Sequence, residues 1–317
     1  VQTALLAPGN ASRIRPLRGV TFGWISQLRW SPSGDMLAIA GGEGLAVYRG
    51  GFGGTADFHL RGHSAPVKDI AFHPDGQLIA SCSADTRIKL WKIAAQSIAE
   101  SATLAGHPGS VEALAWHPDG SSLASGGADG SIRLWDAATG AWQALLAAHA
   151  DEVTALAFDP SGRWLFSGSR DNSIRRWDIR ANYTCDIVGR HDDWVREIAL
   201  SPAGFLASAS KDMSIRLWDM DPPLLNAVDS GIRRQRTRRW KAHAGGVDAL
   251  AFSPDGSLLV SGGRDNCLRI WETETGRELA ALAQHRRPLL TLALHPAGGL
   301  LATGGGDNRV LLWAVPL

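Results

Sequence analysis

Val111-Glu112-Ala113-Leu114-Ala115-Trp116 runs into His117-Pro118-Asp119-Gly120, and Ser122-Leu123-Ala124-Ser125-Gly126 follows. Proline sets φ for the first corner of a turn, and glycine supplies φ > 0 at its exit. Two apolar runs joined in this way read as a tight β-hairpin. A second turn, Ala128-Asp129-Gly130-Ser131, leads to a third strand ending in Ile132-Arg133-Leu134-Trp135. A less regular fourth strand then leads to the next histidine.

The same turn recurs as Ser31-Pro32-Ser33-Gly34, His73-Pro74-Asp75-Gly76, Asp159-Pro160-Ser161-Gly162, Ser201-Pro202-Ala203-Gly204, Ser253-Pro254-Asp255-Gly256 and His295-Pro296-Ala297-Gly298. The seven copies stand 42, 44, 42, 42, 52 and 42 residues apart. Central strands apolar on both faces fit sheets sandwiched between neighbours. Four strands per repeat of this length are expected to form one blade of a β-propeller. The expectation is an all-β, seven-bladed β-propeller of four-stranded antiparallel blades, forming a single domain over 1–317. The blades fall roughly at 20–60, 61–104, 105–146, 147–188, 189–240, 241–282 and 283–317 plus 11–18.

The repeat resembles that of the WD-repeat family, whose signature is a His, a Ser or Thr, an Asp and a Trp. Six units carry all four. They are His63, Ser81, Asp85, Trp91; His107, Ser125, Asp129, Trp135; and His149, Ser167, Asp171, Trp177. His191, Ser208, Asp212, Trp218; His243, Ser261, Asp265, Trp271; and His285, Thr303, Asp307, Trp313 complete the series. The His-to-Trp distance is 28 residues in five units and 27 in the other. The first unit departs from this pattern, with Thr21, Ile39 and Tyr48 at the His, Ser and Trp positions. It is expected to lack the internal hydrogen-bond network and to be the least rigid blade. The last unit lacks an outer strand of its own, which Ala11 to Leu17 can supply, closing the ring with N-terminal chain. Pro16 suits an outermost strand.

Recurring His, Ser and Asp invite a catalytic reading. Nucleophilic catalysis needs one such set with an oxyanion hole and a cleft. Six equivalent sets, each with a Trp at fixed spacing, read instead as buried relays that satisfy one another. No phosphate-cradling glycine loop precedes a helix, so no cofactor is expected. His73, His117 and His295 sit in turns of separate blades and give no metal-ligand cluster. Enzyme activity is the weakest class.

Composition narrows the partners. Lys and Arg number 32 against 31 Asp and Glu, which argues against a chain-wide electrostatic grip on nucleic acid. No run of about 18 apolar residues predicts a membrane-spanning helix. Cys82, Cys185 and Cys267 lie far apart, giving no disulfide framework and favouring a reducing compartment, the cytoplasm. No secretory leader is evident and Met does not come first, so a segment has been removed or the chain is part of something longer.

The family resemblance implies contact positions three and five residues after the His and one before the Asp. Among these, Trp24, Lys68, Glu112, Glu152, Arg170, Trp194, Arg196, Lys211, Asp248 and Arg264 are expected to bind a partner. Trp and Arg dominate interface hot spots. Trp24 and Trp194 are either open to a partner or folded over a neighbouring loop. The basic residues cluster on blades around Trp194, with Glu112 and Glu152 on the other side. That predicts a laterally polarised face for an acidic peptide or protein segment, with its apolar anchor near Trp194.

A second candidate is the long connection after Trp218. Arg233, Arg234, Arg236, Arg238 and Arg239 could hold a nucleic acid or anionic lipid, or form a solvated loop. Trp240 is expected in the fourth strand, and Trp30 and Trp116 in the core. Trp142 and Trp164 carry no functional reading. The class that results is a non-catalytic protein–protein interaction scaffold. The alternatives are a sensor module of a larger signalling protein, or an anionic-ligand binder.

Overall fold

The computed structural model describes residues 3–42, 44–50, 55–220 and 237–316. It contains seven antiparallel sheets arranged as a closed propeller. Blade 4 shows the pattern: Val153–Phe158, Trp164–Ser169, Ser173–Asp178 and Thr184–Arg190 pair in chain order. The first strand lies innermost and the last on the rim. Among the described residues, the one helical element is the short 3-10 turn Ala11–Arg13.

The ring closes with N-terminal chain. Arg15–Thr21 pairs antiparallel with the last strand, Arg309–Pro316, and supplies the fourth strand of blade 7. Thr3–Ala4 adds two further pairs to the same strand. The closing strand thus begins and ends later than the expected 11–18. Ala11–Arg13 turns instead of extending, and Ala11 and Ile14 are buried against blades 6 and 7. Pro16 sits beside a register shift between Pro16 and Arg18, where an outer strand tolerates its missing N–H.

The core is divided among the seven gaps between neighbouring blades. Between blades 3 and 4, for example, Ile132, Leu134 and Leu146 meet Val153, Leu156, Leu165 and Trp177. Each such side chain contributes roughly 1.5–3 kcal/mol on burial. Both faces of every blade are covered, which explains the apolar runs in the central strands.

Turn histidines add a polar clasp across three gaps. The Nε2 atoms of His73, His117 and His295 contact the carbonyl oxygens of Gly120, Gly162 and Gly34 at 3.0, 2.9 and 3.0 Å. Each ring also meets an aromatic residue of the next blade edge-on: Trp116, Phe158 and Trp30, at 4.8, 5.1 and 4.8 Å between centroids. Those glycines have φ of +76°, +69° and +80°, and a Cβ there would lie 2.3 Å from the imidazole. Only glycine meets both demands.

Every inner strand carries a bulge after its first residue. The bulged residues are Ser26, Lys68, Glu112, Thr154, Arg196, Asp248 and Leu290. A bulge re-aims a side chain, and all seven line one mouth of the central channel. Three residues further on, the inner strands carry alanine in six blades and Arg29 in blade 1.

Candidate functional site

The His–Ser–Asp–Trp sets are sites only if their geometry leaves a reactive group open. In blade 4, His149 Nδ1 lies 2.9 Å from Asp171 Oδ2, and its Nε2 lies 2.7 Å from Ser167 Oγ. Trp177 Nε1 donates to the same hydroxyl at 2.9 Å. A carboxylate only accepts, so Nδ1 carries the proton and Nε2 accepts from the serine. Ser167 is fully buried and the His149 side chain is inaccessible. The hydroxyl has no open face for a substrate.

The same set closes in blades 2, 5, 6 and 7. His63, His191, His243 and His285 bond Asp85, Asp212, Asp265 and Asp307 at 2.9, 2.9, 2.7 and 3.0 Å. Their Nε2 atoms reach Ser81, Ser208, Ser261 and Thr303 at 2.9, 2.7, 2.7 and 2.9 Å. Trp91, Trp218, Trp271 and Trp313 donate to those hydroxyls at 2.8, 2.9, 2.8 and 2.8 Å. Burial holds His191, His243 and His285 below the usual histidine range, against the pull of their aspartates. For Asp171 and Asp212, burial works to raise the pKa. Hydrogen bonds from the His and Ser partners overcome it and hold both carboxyls well below the usual range.

Blade 3 departs from this pattern. Arg133 donates to His107 Nδ1 at 2.8 Å and to Asp129 at 3.1 Å, leaving His107 and Asp129 3.9 Å apart. His107 therefore carries its proton on Nε2 and donates to Ser125, with Trp135 donating to the same hydroxyl. Burial and the Arg133 charge lower the His107 pKa to about 4. Blade 1 fills the equivalent interior with Ile39 and Tyr48, both buried among apolar neighbours.

The expected contact residues do converge. Trp24, Lys68, Glu112, Arg170, Trp194, Arg196, Asp248 and Arg264 line one cavity of about 330 Å³ at the loop mouth of the channel. Glu152 and Lys211 stand just behind, through Arg170 and Trp194. The expected lateral polarisation is absent, because the charges pair across it. Lys68 meets Glu112 at 3.2 Å, Arg170 meets Glu152 at 2.9 Å, and Lys211 meets Asp193 at 3.5 Å. Asp248 is shared by Arg196 and by Arg264, the latter at 2.9 Å.

The charge is layered by depth instead. Arg264 is 42% exposed over an Asp248 only 5% exposed, and Arg170 is 38% exposed over a Glu152 at 13%. Lys68 is likewise more open than Glu112. Burial raises the pKa of Glu152, with the Glu112 charge adding to it and Arg170 opposing. Burial also raises Asp248, against Arg196 and Arg264. The mouth thus presents cations outward and keeps most of its carboxylates beneath them.

The two tryptophans differ. Trp24 is 44% exposed. Trp194 is half-buried, with Arg170 at 4.7 Å and Lys211 at 4.2 Å from its ring centroid. Such cation–π contacts contribute about 0.5–2 kcal/mol each. Trp24 and Leu290, on neighbouring blades 1 and 7, both line the mouth.

Of the arginine-rich connection, Arg233, Arg234 and Arg236 lie outside the described residues. Arg238 and Arg239 belong to the outer strand Arg238–Lys241 of blade 5. Arg238 donates to Thr273 and Glu274 carbonyls, and Arg239 meets Asp192 at 2.7 Å. Both are engaged within the propeller. Trp240 lies in the same strand and packs against Trp271 of blade 6 at 6.0 Å between centroids.

A family model described as "WD domain, G-beta repeat" matches residues 54–92, 99–136, 141–178, 184–219, 234–272 and 276–314. The chain belongs to the WD40 repeat family. Blade 1 is the degenerate seventh repeat of this WD40 propeller, recognisable by its four strands and not by its quartet. Similar proteins include mouse "Transducin beta-like protein 3", 34% identical over 91 residues, covering 27% of this chain and 11% of the relative. "U3 small nucleolar RNA-associated protein 13" of Saccharomyces cerevisiae is 33% identical over 85 residues, with 27% and 10% covered. Drosophila melanogaster "Protein groucho" is 33% identical over 72 residues, with 23% and 8% covered. The chain spans about a tenth of the length of the curated relatives it matches.

Sequence reasoning missed three features of this WD40 propeller. The Arg133 insertion has no marker, since arginine or lysine also stands two residues before Trp91, Trp177, Trp218 and Trp271. The turn histidines could have been found as His-Pro turns facing an aromatic residue one repeat later. The bulge that aims the channel-mouth residues leaves no trace in residue type.

Proposed function

We propose that this WD40 propeller is a non-catalytic protein–protein interaction scaffold. Its loop mouth takes a peptide or protein segment carrying acidic side chains. The observation that supports this is the depth layering, with Arg170, Arg264 and Lys68 outside their carboxylates. An incoming carboxylate can share an outer guanidinium bidentately without evicting the acid below. Trp24 and Leu290, which line the same mouth, offer the apolar anchor, and the Trp194 ring holds the cations in place. WD40 propellers are generally interaction scaffolds, and the buried quartet hydroxyls fit binding without turnover. A cytoplasmic setting is part of the same reading, supported by three free cysteines.

The test is recovery of bound proteins by wild type and by Trp24→Ala/Arg264→Ala, with folding checked by circular dichroism. Loss of specific recovery by at least tenfold supports the reading. Unchanged recovery removes this surface.

A further inference from the structure

The other mouth of the channel is chemically different. It holds a cavity of about 440 Å³ lined by Ala71, Ala199, Ala251 and Ala293, with Arg29 and Glu197 among the lining residues. That volume lies within the range of small-molecule sites, which combine apolar walls with few polar groups. The alanines leave the space that a larger side chain at this strand position would fill.

Three charged groups act within this part of the channel. Asp69 accepts the Ile70 and Leu114 backbone N–H groups at 2.8 and 2.9 Å and meets Arg29 at 3.6 Å. Arg29 also donates to the Leu28 carbonyl at 3.2 Å. Gln27 and Thr291 bond each other. Glu197 is left over. Among the described residues its one hydrogen bond is from its neighbour's backbone, Ile198 N–H, at 3.3 Å to Oε1. Among the described residues one cation therefore serves two carboxylates, and Glu197 Oε2 accepts no hydrogen bond.

We propose that this mouth binds a primary alkylammonium group, with Glu197 as its counter-charge and the alanine wall as the seat of its alkyl chain. A divalent metal ion fits poorly, since Ca²⁺ wants six to eight oxygen ligands and one carboxylate oxygen is open. A guanidinium fits less well, because its fork matches two free oxygens. An ammonium is a point charge on a flexible stem and needs one strong acceptor. The ammonium can come from a free amine or from a lysine side chain, and the chemistry recognised is the same.

The ionisation of Glu197 supports this assignment. Burial pushes it up to about 7, with Arg29 opposing and Asp69 adding to the rise. Ammonium binding requires the ionised form, so affinity increases between pH 6 and 8.

The experiment is calorimetric titration of the full chain with n-pentylamine, and separately with a capped Gly-Lys-Gly peptide and its Nε-acetylated form. Trp30 lines the same cavity, so its emission is a second readout. The expected result is saturable amine binding at pH 8, weakened about tenfold at pH 6 and at least tenfold in Glu197→Gln. A second variant, Ala251→Met, fills the cavity and abolishes binding with the charge intact. Binding of n-pentylamine without the peptide assigns a free amine. Binding of the peptide, lost on acetylation, assigns a lysine side chain. No saturable binding of either at millimolar concentration overturns the proposal. So does undiminished binding by Glu197→Gln, or tighter binding of n-pentanoate than of n-pentylamine. None of these outcomes touches the loop-mouth reading.

Discussion

Blade 1 and blade 4 fold into the same four-stranded sheet from opposite interiors. Blade 4 closes around Ser167, bonded by His149 and Trp177. Blade 1 places Ile39 at the equivalent position, and both side chains are fully buried. Tyr48 takes the place of the tryptophan. The slot must be filled, either by a complete polar network or by Ile39 packed with Tyr48. A half-satisfied network is what it cannot accept, because orphaned buried donors lose their hydration without return. That is the behaviour of a fastener.

The comparison can be broken by mixing the two interiors. Ile39→Ser puts a hydroxyl into blade 1 without His or Trp partners and removes most of the side chain. It is expected to cost about 3–5 kcal/mol, read from the urea midpoint. A change below about 1 kcal/mol would mean that blade 1 does not depend on its apolar filling.

A smaller effect separates structural charges from a spare one. Glu197 has its folded pKa raised from 4.5 to about 7. A raised carboxyl favours folding when protonated, so its contribution is fully present below pH 4.5 and is lost as pH rises through 7. Glu197→Gln should therefore stabilise the protein by about 2 kcal/mol at pH 8, allowing for water reaching the channel. At pH 4 it should do almost nothing. Equal effects at both pH values would show that Glu197 is not desolvated.

The smallest effect isolates the turn histidines. Gly162 and Gly204 have similar positive φ, +69° and +82°, so alanine strains both. Only Gly162 faces an imidazole, with His117 Nε2 2.3 Å from its added Cβ, while Gly204 has nothing within 4 Å. Gly162→Ala should cost about 1 kcal/mol more than Gly204→Ala. Equal losses in thermal melts would remove the clasp from the account.

How much was legible follows from these particulars. The Pro-Gly turns and the Trp spacing gave the blade number, because hairpin chemistry is local. The quartets were readable as interior groups because six copies at fixed spacing require a repeated structural cause. The arrangement of charge was not readable. Sequence places Arg170 and Glu152 on one blade, but which of the two is the more exposed follows from side-chain reach in three dimensions. The competition that sends Arg133 between His107 and Asp129 is likewise settled by packing. The closing strand lies at Arg15–Thr21 and not at 11–18, since the burial of Ala11 and Ile14 outweighs extension of that stretch.

The most direct test sets the fastener beside the rim: urea midpoints of Ser167→Ala and Trp24→Ala, measured together. Ser167→Ala strands the Trp177 indole N–H and the His149 Nε2 and should lose about 2–4 kcal/mol. Trp24→Ala, at an exposed edge of the loop mouth, should stay within about 0.5 kcal/mol. A Ser167→Ala midpoint matching wild type, or a larger loss for Trp24→Ala, would contradict the division of labour between interior and mouth.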